Sequence, residues 1–184
     1  MSTKSNIYVA FLRGINVGGN TLVSMAELKK CFAALGFENV KTYINSGNVI
    51  FAAKATDPRK LEIRIEKALT ESFSYSIAVV VLSYFEMEQV IAHIPKSWET
   101  NTEQRFNVIF LRYTIDKPEI LDELKPKPGI EELYYHPGVL FWSAHTSDLT
   151  QSNMVKLAKS KLYKEMTVRN LNTTKKIWEL MNSI

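Results

Sequence analysis

Three short segments concentrate the side chains that could bind a charged ligand. The first holds Arg13, Asn16, Gly18, Gly19 and Asn20, the second Asn45, Ser46, Gly47 and Asn48, the third Arg169, Asn170, Asn172 and Thr173. Arginines offer charge-assisted hydrogen bonds to a phosphate or carboxylate, and a glycine-rich turn can aim successive backbone N–H groups at one anion. The spacing in the first segment matches neither a dinucleotide fingerprint nor a P-loop, and no Lys-Ser/Thr pair accompanies it. The structural alternative is that the glycines serve backbone geometry alone and Arg13 pairs with a carboxylate. In the third segment Asn172 or Thr173 can cap a helix N-terminus. Lys175 and Lys176 would then occupy the first turn, where cations oppose the helix dipole and a bound anion is favoured, unless both point into solvent.

Other reactive residue types form no comparable grouping. His93, His136 and His145 lack metal-ligand spacing, and no cysteine pair accompanies them. Ser143, His145 and Asp148 crowd one chain segment without a nucleophile elbow, so no triad is assigned. Cys31 lies beside an apolar helix face and reads as core.

The segments sit at the ends of regular elements. Residues 7–12 are apolar throughout, as in a central strand covered on both faces. Ser24 and Glu27 form a capping box ahead of a helix bearing Met25, Leu28, Phe32 and Leu35, which Gly36 ends. Residues 40–44 and 49–51 are strands of a hairpin turning at Asn45-Ser46-Gly47-Asn48. Asp57 and Pro58 open a second helix, and residues 77–82 form a further apolar strand. The order β-α-β-β-α-β is that of a ferredoxin-like plait.

Ser83 and Glu86 cap a connecting helix, followed by a polar connection at residues 96–104. Val108-Ile109-Phe110-Leu111-Arg112 then echoes Val9-Ala10-Phe11-Leu12-Arg13, and Gly138-Val139-Leu140-Phe141 echoes Gly47-Asn48-Val49-Ile50-Phe51. The remaining chain reads β-α-β-β-α-α, with helices across Val155, Ala158 and Leu162 and across Ile177, Leu180, Met181 and Ile184. This is a plait with a helix where its last strand should be. The predicted class is α+β, a tandem pair of ferredoxin-like plaits with antiparallel sheets. Its predicted divisions are residues 1–83, a connection over 84–104, and a variant unit over 105–184 that ends in helices.

At 184 residues and 46% hydrophobic content the chain can bury a core. A net charge of +4 and a pI near 9.0 admit an anionic partner, with the basic residues concentrated after residue 155. One cysteine, no signal pattern and no membrane-length apolar run predict a cytoplasmic protein without a membrane partner. The plait also serves RNA-binding domains, but Asn48 and Ile50 stand where stacking would require aromatic rings. The apolar strands imply sheet faces covered by the other half or by a partner, a second copy of the chain included.

Phe11-Leu12-Arg13-Gly14-Ile15-Asn16-Val17-Gly18-Gly19, Met25-Ala26-Glu27-Leu28, Thr42-Tyr43-Ile44-Asn45-Ser46-Gly47-Asn48-Val49-Ile50-Phe51 and Thr167-Val168-Arg169-Asn170-Leu171-Asn172-Thr173 together resemble the DUF1697 family of bacterial proteins of unknown function. The resemblance implies two α/β plaits in tandem. It brings no activity, cofactor or catalytic residue. Leu171 departs from the tryptophan usual in that family, a change that is nearly silent if the position packs and that alters binding if the ring meets a ligand.

The leading functional expectation is a small anionic ligand, a nucleotide or other phosphate, bound where the three segments converge on a polar site between the units. Arg13, Asn16, Gly18, Gly19, Asn45, Ser46, Asn48, Arg169, Asn170, Asn172 and Thr173 would line it. An enzyme using the same residues to position substrate is the first alternative, although no general base stands out. A nucleic-acid-binding module is the second.

Overall fold

Residues Ile7–Leu12 form β1, a strand buried along its whole length, as its unbroken apolar sequence requires. The computed structural model describes residues 6–16, 22–99, 101–157 and 160–184, the side chains of residues 155 and 156 aside. After β1 come α1 (Met25–Ala34), β2 (Glu38–Tyr43), β3 (Asn48–Ala52), α2 (Pro58–Phe73) and β4 (Val79–Ser83), and the sheet order is β2-β3-β1-β4. All three pairings are antiparallel, with Val9 opposite Ile50 on one side and Leu82 on the other.

Side chains alternate along a strand, so Tyr8, Ala10 and Leu12 share a face. They pack with Val49, Phe51, Val79 and Val81 against Leu28 and Phe32 of α1 and Leu61, Ile65 and Leu69 of α2. Val9, Phe11 and Ile50, on the opposite face, are buried as well. Both helices start at their expected caps. Ser24 Oγ accepts from the N–H of Glu27 at 3.4 Å, and Asp57 Oδ1 from that of Arg59 at 2.9 Å, with Pro58 in the first position. Edge strand β4 is protected by α2, whose Glu66 and Glu62 carboxylates accept the N–H groups of Val79 and Val81 at 2.9 Å each.

Helix α3 (Tyr84–Ala92) follows, its capping box closed in both directions by Ser83 and Glu86. The next connection is less polar than its composition indicates, because a single helical turn at Lys96–Glu99 buries Trp98 against Phe106 and Phe141.

The second plait comprises β5 (Gln104–Leu111), α4 (Ile120–Leu124), β6 (Glu131–His136), β7 (Val139–His145), α5 (Asn153–Leu157) and β8 (Met166–Asn170), and α6 (Leu171–Met181) follows, beginning in this unit and ending in the first. Its sheet order, β6-β7-β5-β8, repeats that of the first. The expectation of a helix in place of the last strand is corrected here. Residues Met166–Asn170 are that strand, with Arg169 opposite Val108. Polar Thr167, Arg169 and Asn170 obscure an edge strand that needs only one apolar face, which Met166 and Val168 supply. The helix expected across Val155, Ala158 and Leu162 is the short α5 and then a separate turn at Leu162–Glu165, while Ala158 lies outside the described residues.

The fold is thus α+β, a tandem pair of ferredoxin-like plaits with antiparallel sheets. The chain divides into two compact units, residues 1–89 with 176–184, and residues 90–175. Among the described residues, no helix is long and apolar enough to cross a membrane.

Candidate functional site

The first unit brings two of the three predicted segments together at the exit of β1. The N–H of Leu12 donates to the carbonyl of Gly47 at 2.7 Å, and that of Arg13 to the carbonyl of Ala78 at 2.9 Å. The chain then takes positive φ at Gly14 (68°) and Asn16 (54°) but not at Ile15. Alternating handedness of this kind turns consecutive N–H groups toward one concave side, an anion-binding nest. Among the described residues, the N–H groups of Gly14, Ile15 and Asn16 donate to no acceptor. Gly14 is exposed, Arg13 half-buried, and Ile15 anchors the turn in the core.

The asparagines act as braces. Asn16 Nδ2 donates to the carbonyls of Val23 and Asn45, both at 2.9 Å, while its Oδ1 accepts the N–H of Val23 at 2.8 Å. One amide therefore joins the start of the turn, its far end and the hairpin. Asn48 is fully buried and donates to the Tyr43 carbonyl and to Ser46 Oγ, both at 3.0 Å. Asn45 is exposed and Ser46 half-buried, so these two are the hairpin residues a ligand can reach. Gly47 is needed for close approach, since a Cβ there would stand 2.7 Å from Leu12 Cβ and 2.9 Å from Ile15 Cδ1. Gly18 and Gly19, with Asn20, lie outside the described residues.

The third segment belongs to the second unit and builds its own network. Arg169 is 8% exposed and donates from Nη1 to Thr167 Oγ1 at 3.1 Å and to the Val168 carbonyl at 2.8 Å. Burial lowers its pKa to about 10, against an opposing influence of Tyr163, and leaves it a cation at neutral pH. The expected capping role of Asn172 or Thr173 is corrected. Asn170 caps α6, its Oδ1 accepting the N–H of Thr173 at 2.7 Å, because β8 passes directly into the helix. Asn172 is exposed in the first turn and Thr173 is buried.

With the helix starting at Leu171, Lys175 and Lys176 fall in its second turn, where the dipole has faded. Lys176 also pairs with Glu179 at 2.7 Å, which raises its pKa. The two lysines therefore no longer argue for an anion at that helix end. Leu171 is 7% exposed, so the position usually held by tryptophan is here a packing position.

Two features of the second unit had no clear sequence signal. Glu131 is buried, and its carboxylate accepts from Ser152 Oγ, Trp142 Nε1 (2.9 Å) and the N–H groups of Lys127 (3.0 Å) and Asn153 (2.9 Å). Burial would raise its pKa, but these donors, Ser152 and Trp142 foremost, hold it below the ordinary 4.5. The ring of His136 stacks on that of His93 with centroids 3.9 Å apart. Burial lowers the His136 pKa, the charge of His93 acts the same way, and Asp116 opposes them. Asp148 is engaged by Ser147 and Gln151, and Ser143 is buried. Among the described residues no group of three or more His, Cys, Asp or Glu side chains could hold a metal ion. An open groove of about 420 Å³ between Asn39–Lys41 and the last two residues contains none of the predicted site residues.

Comparison with known proteins agrees with this architecture. The solved structure of conserved bacterial protein SP0830 from Streptococcus pneumoniae superposes with a TM-score of 0.84 at 27% identity, covering 96% of this chain and 98% of that one. A search of curated proteins finds no match. The model of a family described as "Protein of unknown function (DUF1697)" matches residues 6–141. A match over that much of the 184 residues places the chain in its family: it belongs to DUF1697.

Proposed function

We propose that the first plait binds a small anionic ligand through a phosphate group, free or as part of a nucleotide, at the Gly14–Ile15–Asn16 nest. The observation that carries this reading is the run of three consecutive N–H groups, set in alternating backbone handedness and engaged by no acceptor among the described residues. Hydrogen bonds to a charged acceptor contribute roughly 1.5–3 kcal/mol each. Three of them, less the cost of immobilising the ion, correspond to a Kd on the order of 1 mM for inorganic phosphate. Arg13 begins the turn and supplies the cation, while Asn45 and Ser46 form the rim.

The buried thiol of Cys31 and the streptococcal source of the related structure support a bacterial, cytoplasmic setting for this activity. The repeated strand order supports a tandem duplication behind the two plaits.

The test is an amide-resolved NMR titration with inorganic phosphate and a panel of nucleotides. Binding at the nest shifts the Gly14, Ile15 and Asn16 amides, and Arg13→Ala weakens the response several-fold. Stationary amides throughout the panel would overturn the reading.

A further inference from the structure

We infer that the anion bound at this corner carries an apolar substituent and that Leu22 and Ile44 hold it, an inference that rests on the phosphate reading above. The Asn16 clamp ties the sequence neighbours of both residues to the last residue of the nest. Its amide binds the backbone of Val23 on one side and of Asn45 on the other, so Leu22 and Ile44 each stand one residue from a clamp contact. Leu22 is 79% exposed and Ile44 50%. A single exposed leucine needs no explanation, but here two large exposed aliphatic residues adjoin the two backbone contacts of one clamp.

Two further observations separate these residues from ordinary surface apolars. Ile44 holds a φ of 47°, a conformation that suits glycine or asparagine and is a true outlier for a β-branched side chain. A strained backbone that leaves half of an aliphatic residue in solvent returns little packing to the fold, and strain of this kind collects at ligand sites. Leu22, for its part, is held from an anchored backbone: Tyr75 Oη donates to its carbonyl at 3.3 Å, and Asn16 fixes both polar groups of the next residue. Groups fixed in advance lose less freedom on binding. A soluble phosphate ester with an alkyl or aryl group suits N–H donors whose brace adjoins two exposed aliphatic residues better than inorganic phosphate does.

The experiment compares inorganic phosphate, hexyl phosphate and phenyl phosphate by the same amide titration, on the wild-type chain and on Leu22→Ser, Ile44→Asn and the double variant. Both positions are surface ones, and asparagine suits the backbone at residue 44, so a retained amide spectrum serves as the folding control. The expected result is esters binding about tenfold tighter than inorganic phosphate, the worth of roughly two buried methylene groups, with the gain lost in the double variant and phosphate affinity unchanged. Esters and phosphate binding alike would overturn the apolar site and leave the nest standing, whereas silence from all three probes would overturn both. A gain that survives the double variant would remove Leu22 and Ile44 from the site. Pelleting with phosphatidylglycerol vesicles, without a response to soluble esters, would overturn a soluble ligand.

Discussion

The two plaits turn the same corner in the same way and then diverge. In the first, Leu12 donates to the Gly47 carbonyl and Arg13 to that of Ala78; in the second, Leu111 donates to Gly138 at 2.9 Å and Arg112 to Glu165 at 3.0 Å. Beyond this point the second corner neutralises itself. Arg112 Nε faces Glu165 Oε2 at 3.5 Å, Thr114 Oγ1 donates to the same carboxylate, and Asp116 Oδ1 accepts from Tyr135 Oη and the N–H of Gly138. Carboxylates thus occupy the second corner, while a neutral amide, Asn16, braces the first and leaves three N–H donors there. The difference teaches that this fold accepts either a carboxylate-rich or an amide-braced corner. At the first corner the turn built on Gly14 and Asn16 leaves three consecutive N–H groups without an acceptor among the described residues.

The largest effect should separate the paired glycines. Gly47→Ala forces a Cβ against Leu12 and Ile15 at a φ of 72°, whereas Gly138, at 85°, has open space around it. Overpacking plus left-handed strain predicts a loss of about 3–4 kcal/mol for Gly47→Ala, against about 1–2 kcal/mol for strain alone in Gly138→Ala. Urea unfolding of the two variants measures this. Equal losses would mean that the corners are packed alike.

Next come the braces. Asn16→Gly keeps the left-handed backbone and removes three hydrogen bonds, a predicted cost of about 3 kcal/mol. Asp116→Ala removes two, at a cost of about 2 kcal/mol. The same unfolding series ranks them, and an Asn16→Gly chain as stable as wild type would show that the clamp does not hold the corner.

The smallest effect is one of pH, confined to the second unit. The pKa of His136 lies below its ordinary 6.5 in the folded chain, so the native state takes up a proton less readily than the unfolded one. Its contribution to stability is complete above the unfolded value and declines as pH falls through the lowered native value. A thermal midpoint that drops modestly between about pH 7.5 and pH 5, and drops less in His136→Asn, is expected. Identical pH profiles would break the assignment to this ring.

Much of the first unit could be read in the sequence because its signals are local. Ser24, Asp57 and Pro58 mark helix starts by satisfying or omitting free N–H groups, and the hairpin at Asn45–Asn48 needs positive φ that Asn and Gly tolerate. Strand β8 escaped the reading because an edge strand with one apolar face can carry Thr, Arg and Asn elsewhere, and at that place they resemble a helix cap, although Thr167 and Arg169 prove to be buried. The candidate site was partly legible. Arg13, Asn16, Asn45 and Ser46 stood out by type, but Asn16 and Asn48 proved to be braces, and nothing in composition distinguishes a donor left without an acceptor from one consumed by a carbonyl.

By itself the sequence determined the alternation of strands and helices, the capped helix starts, and the glycine and asparagine positions where the backbone must turn left-handed, because each of these depends on a residue and its near neighbours. Tertiary structure alone decided which amides are consumed, that Arg169 is buried, that Glu131 gathers four donors, and that Asn16 clamps Val23 to Asn45. Those outcomes depend on groups far apart in the chain, and hydrogen-bond satisfaction in a folded protein is settled only when every distant acceptor has been placed.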